Sequence, residues 1–116
     1  MNLSMDLESD TMQDTVRQIA LEFRSRLEAV VPVLDFRVFG SRARNDARED
    51  SDLDIFIKVA ELDRPLREKV HDLAWEVGFE HNCIIATFVV TEAQLQTEAV
   101  GANPLIAKVF KEGVVV

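Results

Sequence analysis

The stretch from Val38 to Ile57 limits what this chain can become more than any other. An apolar strand runs into Gly40-Ser41, a loop rich in arginine and acid follows, and a second apolar strand opens with Asp52-Leu53-Asp54. Side chains alternate along a strand, so Asp52 and Asp54 share one face with Cβ atoms roughly 6.5–7 Å apart, while Leu53, Ile55 and Ile57 point the other way into a core. Two carboxylates on one spot repel unless a cation lies between them. Mg²⁺ suits such a pair, because it binds through one or two carboxylates and completes its shell with water and phosphate oxygens.

Gly40 and Ser41 supply the complementary half. Glycine lets the backbone approach an anion closely and adopt angles closed to other residues. Ser41 offers a hydroxyl and an N–H where a short helix can begin. Arg42 and Arg44 add forked donors that match phosphate oxygens. The loop therefore suits a polyphosphate.

The order Gly40-Ser41-Arg42-Ala43-Arg44, Asp46-Ala47, Ser51-Asp52-Leu53-Asp54 resembles the signature of the minimal nucleotidyltransferase (MNT) domains of the DNA polymerase β-like superfamily. Their usual run is Gly-Ser-x-Ala-Arg-Gly-x-Ala followed by Ser-Asp-x-Asp. The resemblance implies an α+β fold, a small mixed β-sheet with flanking helices like the polymerase β palm. It implies transfer of a nucleoside monophosphate, AMP from ATP, to a hydroxyl of a partner with release of pyrophosphate. Asp52 and Asp54 would be the catalytic and metal-binding residues, holding Mg²⁺, with Mn²⁺ as the alternative. Gly40, Ser41, Arg42 and Arg44 would bind the nucleotide, the first two seating the β- and γ-phosphates and an arginine offsetting charge on the leaving pyrophosphate. Arg48 is read as a solvent-exposed loop residue.

Such minimal domains often serve as antitoxin partners of HEPN-domain ribonucleases, in some cases transferring AMP to a tyrosine of the toxin. This chain contains no tyrosine, so the acceptor must lie elsewhere. Two departures from the signature stand out. Asn45 replaces a glycine, a mild change because asparagine tolerates a left-handed backbone. The following strand, Cys83 to Val90, lacks the third carboxylate that catalysing relatives carry, and the nearest acids are Glu80 before it and Glu92 after it. A second expectation follows: a nucleotidyltransferase-like binding subunit, weakened in catalysis, that acts by forming a complex.

At 116 residues, the chain is read as one domain spanning 1–116, with residues 1–8 a loose leader. Its charge of −8, with 21 acids against 13 bases, speaks against an extended nucleic-acid surface, which needs clustered cations to displace counterions. No apolar run is long enough for a membrane span. The N-terminus lacks a secretory core and Cys83 is the lone cysteine, so a cytoplasmic location is expected. Homo- and hetero-oligomers both fit.

Periodicity supplies the remaining elements. Val16, Ile19, Ala20, Phe23, Leu27 and Val30 mark a helix of about five turns, with Asp10 and Gln13 spaced as a capping pair and Pro32 as its stop. Strands are expected at Val33–Phe39 and Asp52–Val59, antiparallel neighbours, with Asp35 solvated or paired to arginine. A helix begins at Pro65 and stops at Gly78, carrying His71 and Trp75 on the flank of its packed face. His81 reads as a surface histidine and Cys83 as a small core residue. The strand beginning at Cys83 is apolar on both faces and is expected to be central or covered on both sides. Thr91 to Gln94 starts a short helix broken at Ala99-Val100-Gly101-Ala102. A last helix follows Asn103-Pro104 and stops at Gly113, and Val114 to Val116 is expected as an edge strand or as packing on a neighbouring chain.

Overall fold

The computed structural model describes residues 12–44, 52–97 and 102–116. Several expectations lie outside these residues: the leader, Asp10, Asn45, Arg48, and most of the break before Asn103. Along the described chain run α1 (Asp14–Glu28), β1 (Asp35–Phe39), α2 (Ser41–Arg44), β2 (Leu53–Val59), α3 (Arg64–Glu80), β3 (Ile85–Thr91), α4 (Glu92–Leu95), α5 (Pro104–Glu112) and β4 (Val114–Val115). The strands form one mixed sheet in the order β3-β2-β1-β4. β2 is antiparallel to β1 and parallel to β3, and β4 is antiparallel to β1. This is the expected α+β architecture.

Alternation gives the sheet two unlike faces. Phe36 and Val38 of β1 and Leu53, Ile55, Ile57 and Val59 of β2 enter a core with Val16, Phe23 and Leu27 of α1 and Val70 and Val77 of α3. Each such burial contributes about 1.5–3 kcal/mol relative to exposure. Phe39, Phe56 and Val90 point to the opposite face and pack against Ile106 and Val109 of α5. Phe56 meets Phe110 edge-on at 5.4 Å and Phe88 at 6.2 Å. Asp35 shares this face and is paired with Arg37 at 3.0 Å, as expected for an arginine partner. Two helices thus cover one face, and α5 covers part of the other.

Helix ends follow local chemistry. Asp63 caps α3 by accepting from Leu66 N–H at 2.9 Å, Thr91 and Gln94 complete a capping box, and Asn103 accepts from Leu105 N–H at 2.8 Å. α1 departs from expectation. It spans 15 residues, about four turns rather than five, and Gln13 sits at its N-cap without a side-chain bond. It ends at Glu28, ahead of Pro32, and leaves Val30 exposed.

α3 also departs. Gly78 does not stop it, and the helix runs on to Glu80. Asn82 takes the left-handed position with φ 55°, Cys83 N–H donates to Gly78 C=O at 2.9 Å, and Asn82 N–H donates to Phe79 C=O at 3.3 Å. These bonds make a Schellman stop in which Asn82 replaces the usual glycine. Gly78 is required for another reason: a Cβ there would stand 2.5 Å from the Cys83 carbonyl oxygen, which folds back over the helix.

β3 corrects a third expectation. It is an edge strand, not a central one, and its middle residues are only partly buried. Cys83 precedes it, half-buried against the larger core. Trp75 is likewise not packed on the flank of a buried face: it is 64% exposed and stacks on Phe79 at 5.1 Å. The C-terminal valines do form the opposite edge, with Val114 and Val115 paired to Val38 and Arg37.

Gly78→Ala adds helix propensity of about 1 kcal/mol but drives a methyl into the Cys83 carbonyl. Urea denaturation should show a net loss of about 1–3 kcal/mol; a stabilised variant would contradict this packing.

Candidate active site

The site lies where β1 ends and β2 begins. Antiparallel pairing places Phe39 opposite Asp54, so the chain leaving β1 turns directly over the Asp54 side chain. The turn is made by Gly40, at φ +78°. A Cβ on Gly40 would lie 2.5 Å from Asp54 Oδ2, so a side chain there would displace the carboxylate. Position 40 favours glycine through its backbone angle, and the missing side chain leaves room for the carboxylate beneath it. α2 begins immediately at Ser41, with Ala43 N–H donating to Gly40 C=O at 3.2 Å.

Asp52 and Asp54 stand at the start of β2, on the face opposite Leu53 and Ile55. Asp52 is exposed and Asp54 half-buried. Burial pushes the Asp54 carboxyl above the usual carboxylate range, the Asp52 charge pushes it further, and Lys108 of α5 partly offsets both. Lys108 was not legible as a site residue. Only the packing of Ile106 and Val109 on the sheet brings that face of α5 towards Asp54, and no local motif announces it.

The arginines part company. Arg42 is 8% exposed, and its charge reaches Cys83, whose thiol is pushed up by burial and by Asp52 and pulled down by Arg42. Its side chain is thus buried in the fold and does not stand free in the loop. Arg44 ends α2; residues 45 to 51, the rest of the loop, are outside the described residues.

Neither acid considered as a third ligand joins the pair. Glu80 is bound by Arg26 at 2.8 Å, in a group where His81 Nε2 lies 3.0 Å from Glu22 Oε1. His81 thereby has a carboxylate partner that the sequence did not reveal. Glu92 meets Lys58 at 3.3 Å, four residues along β2 from Asp54 and so roughly 13 Å from it. In register with Asp54 on β3, and on the same face, is Ala86. Among the described residues no group of three or more metal-ligating side chains forms. A cation that binds through two carboxylates and otherwise keeps water and phosphate oxygens still fits this donor set: burial and the neighbouring Asp52 charge both disfavour the Asp54 carboxylate, and Lys108 offsets them only in part.

The arrangement defines a class: an acid pair at the start of a central strand, with a glycine turn closing over it. Residues 16–112 match the sequence model of the family described as "Nucleotidyltransferase domain", and the chain belongs to that family. Comparison with curated proteins finds no match. Among the described residues no helix is long and apolar enough to cross a membrane.

Because the folded state raises the Asp54 pKa, this group opposes folding above that pKa, and the penalty disappears as pH falls below the ordinary aspartate value. Asp54→Asn should therefore melt higher than the wild type at neutral pH in chelator, and the gap should close on acidification. Thermal scans across pH read this directly; a variant less stable at neutral pH would refute the repulsive pair. Gly40→Ala should lose about 1–3 kcal/mol in chemical denaturation from its backbone angle alone.

Proposed function

We propose that the chain transfers AMP from ATP to a hydroxyl on a partner protein, releasing pyrophosphate, and that the partner is a HEPN-type toxin for which this chain is the antitoxin. The observation that carries the reading is the Asp52–Asp54 pair beneath Gly40 in a chain of the nucleotidyltransferase family. Asp52 and Asp54 would hold Mg²⁺, or Mn²⁺ in its place, which when bound supplies positive charge to the phosphates and lowers the cost of ionising the attacking hydroxyl.

The chain's own residues have distinct tasks. Gly40 keeps the space above Asp54 clear so that a triphosphate can approach, and Ser41 offers its hydroxyl and N–H to the β- and γ-phosphates. Arg44 and Lys108 are the cations we assign to the leaving pyrophosphate. Arg42, being buried, is assigned to holding the turn beside Asp52. In the reaction the acceptor oxygen bonds to the α-phosphorus, its proton leaves to solvent, and the bond from the α-phosphorus to the α,β-bridging oxygen breaks with pyrophosphate as leaving group. This chain has no tyrosine, so a tyrosyl acceptor would belong to the partner.

A second reading is favoured by a specific observation. Ala86 stands where a third carboxylate would complete the pair, and Glu80 and Glu92 are bound by Arg26 and Lys58. A site with two acids holds its cation more weakly, and such a chain could act as an antitoxin by forming a complex, with nucleotide retained as a ligand.

Calorimetric titration of ATP with and without Mg²⁺ tests both readings. Binding that needs Mg²⁺ and is lost in Asp52→Asn and Asp54→Asn supports the site; absence of binding in every condition overturns it. Transfer of labelled AMP to the partner, abolished by Asp54→Asn, separates enzyme from blocking subunit. Ala86→Asp should tighten Mg²⁺-dependent binding by about tenfold or more if the missing third acid limits the site, and Lys108→Ala should slow transfer while leaving the fold intact.

A further inference from the structure

The sheet ends unevenly. At one edge β4 has two residues. At the other, β3 presents seven, and from Ile84 to Thr91 the sequence carries no charge. Edge strands are ordinarily blunted by charge, proline, bulges or shortness, and β3 has none of these. Leu53 N–H donates to Ile84 C=O at 2.8 Å, so alternation turns Ala86, Phe88 and Val90 towards β2 and leaves the N–H and C=O of Ile85, Thr87 and Val89 facing outward. Thr91 N–H is already taken by Gln94 Oε1 at 2.9 Å, which ends the open row.

Beside this edge lies an apolar patch. Trp75 is 64% exposed, Phe79 72% and Ile84 66%, and they line a groove of about 550 Å³ between α3 and the start of β3. A second groove of about 490 Å³, which shares His71, continues along Thr87 and Val89 and is bordered by Arg67, Glu68 and Asp72. The patch lies on the α3 face of the sheet, whereas Asp54 faces α5, so the nucleotide site does not account for it.

We propose that this edge and patch form the interface of a homodimer in which two β3 strands pair antiparallel about a two-fold axis, making one eight-stranded sheet from two four-stranded ones. A second copy fits on three counts. A two-fold sets outward-facing residues against outward-facing residues, so each open donor row meets an open acceptor row without any further adaptation. The strand edge itself carries no charge, so two chains of charge −8 pair along it without like-charge contact, and beside it antiparallel α3 helices bring Arg67 of one copy towards the Asp72 end of the other. Strand spacing then places the two α3 helices roughly 10 Å apart, the distance at which helices pack, with the Trp75–Phe79 stack between them. The three exposed side chains carry on the order of 400 Å² per copy, about half of what each partner of a standard interface buries, and the strand edge with Thr87 and Val89 supplies the rest.

Sedimentation equilibrium on the full chain decides it. The expected result is a concentration-dependent rise to twice the 13.1 kDa of one chain, with Ile84→Lys and Trp75→Glu each weakening association about tenfold or more. Val115→Lys, at the opposite edge, should leave association unchanged. In the wild type, amide exchange at Ile85, Thr87 and Val89 should slow as dimer forms, a readout independent of how well any variant folds. A monomer at every concentration overturns the proposal. So does a dimer insensitive to Ile84→Lys and Trp75→Glu, and so does a chain that uses these residues only to bind a different protein.

Discussion

The Asp54 carboxylate fills the space that a side chain at position 40 would need, and the local architecture is built around that exclusion. Because residue 40 is glycine, the chain can leave β1 at φ +78° and start α2 one residue later. Because the turn closes over Asp54, the carboxylate is partly desolvated and its charge is held close to Asp52. One close approach therefore links the course of the backbone to the burial of Asp54 and its charge.

Packing and chemistry are kept on separate faces. The larger core lies between the sheet and the α1–α3 layer, while the acids share the other face with α5 and the smaller cluster around Phe56. β2 serves both, since odd residues from Leu53 to Val59 are buried in the larger core and Asp54 looks the opposite way. A strand held this firmly can carry a repulsive pair at its end, because the burial of Leu53, Ile55 and Ile57 outweighs a destabilised half-buried carboxylate. α5 then contributes more than a lid over apolar surface, for its Lys108 is the cation whose field reaches Asp54.

The fate of the spare acids shows how a fold decides which charges may cooperate. Glu80 sits at the end of α3 and is drawn to Arg26 across the helical layer. Glu92 begins α4 at the far end of the sheet and pairs with Lys58. In each case a nearer cation takes the carboxylate, and the β3 position level with Asp54 is left to Ala86. Among the described residues the site therefore holds two acids, and the fold keeps the other candidates paired elsewhere.

What the sequence determined by itself was whatever depends on near neighbours. Alternation in Asp52-Leu53-Asp54-Ile55 gave the acid pair and the buried row, the Gly40-Ser41 turn marked the start of α2, and Asp63, Thr91 and Asn103 announced their helices, because capping and pleating act over a few residues. Tertiary structure decided what depends on distant partners: that β3 is an edge although both its faces are apolar, that Trp75 stands in solvent, that Arg42 is buried while Lys108 faces Asp54, and that Gly78 lies inside a helix rather than ending it. Gly40 is required by its backbone angle and Gly78 by a close approach, yet only one was readable, since Gly40 lies in a recognisable turn and the Cys83 carbonyl above Gly78 arrives from a stop made later in the chain. Local rules fix the conformation of a segment; its exposure and its charge partners are fixed only when the segments are assembled.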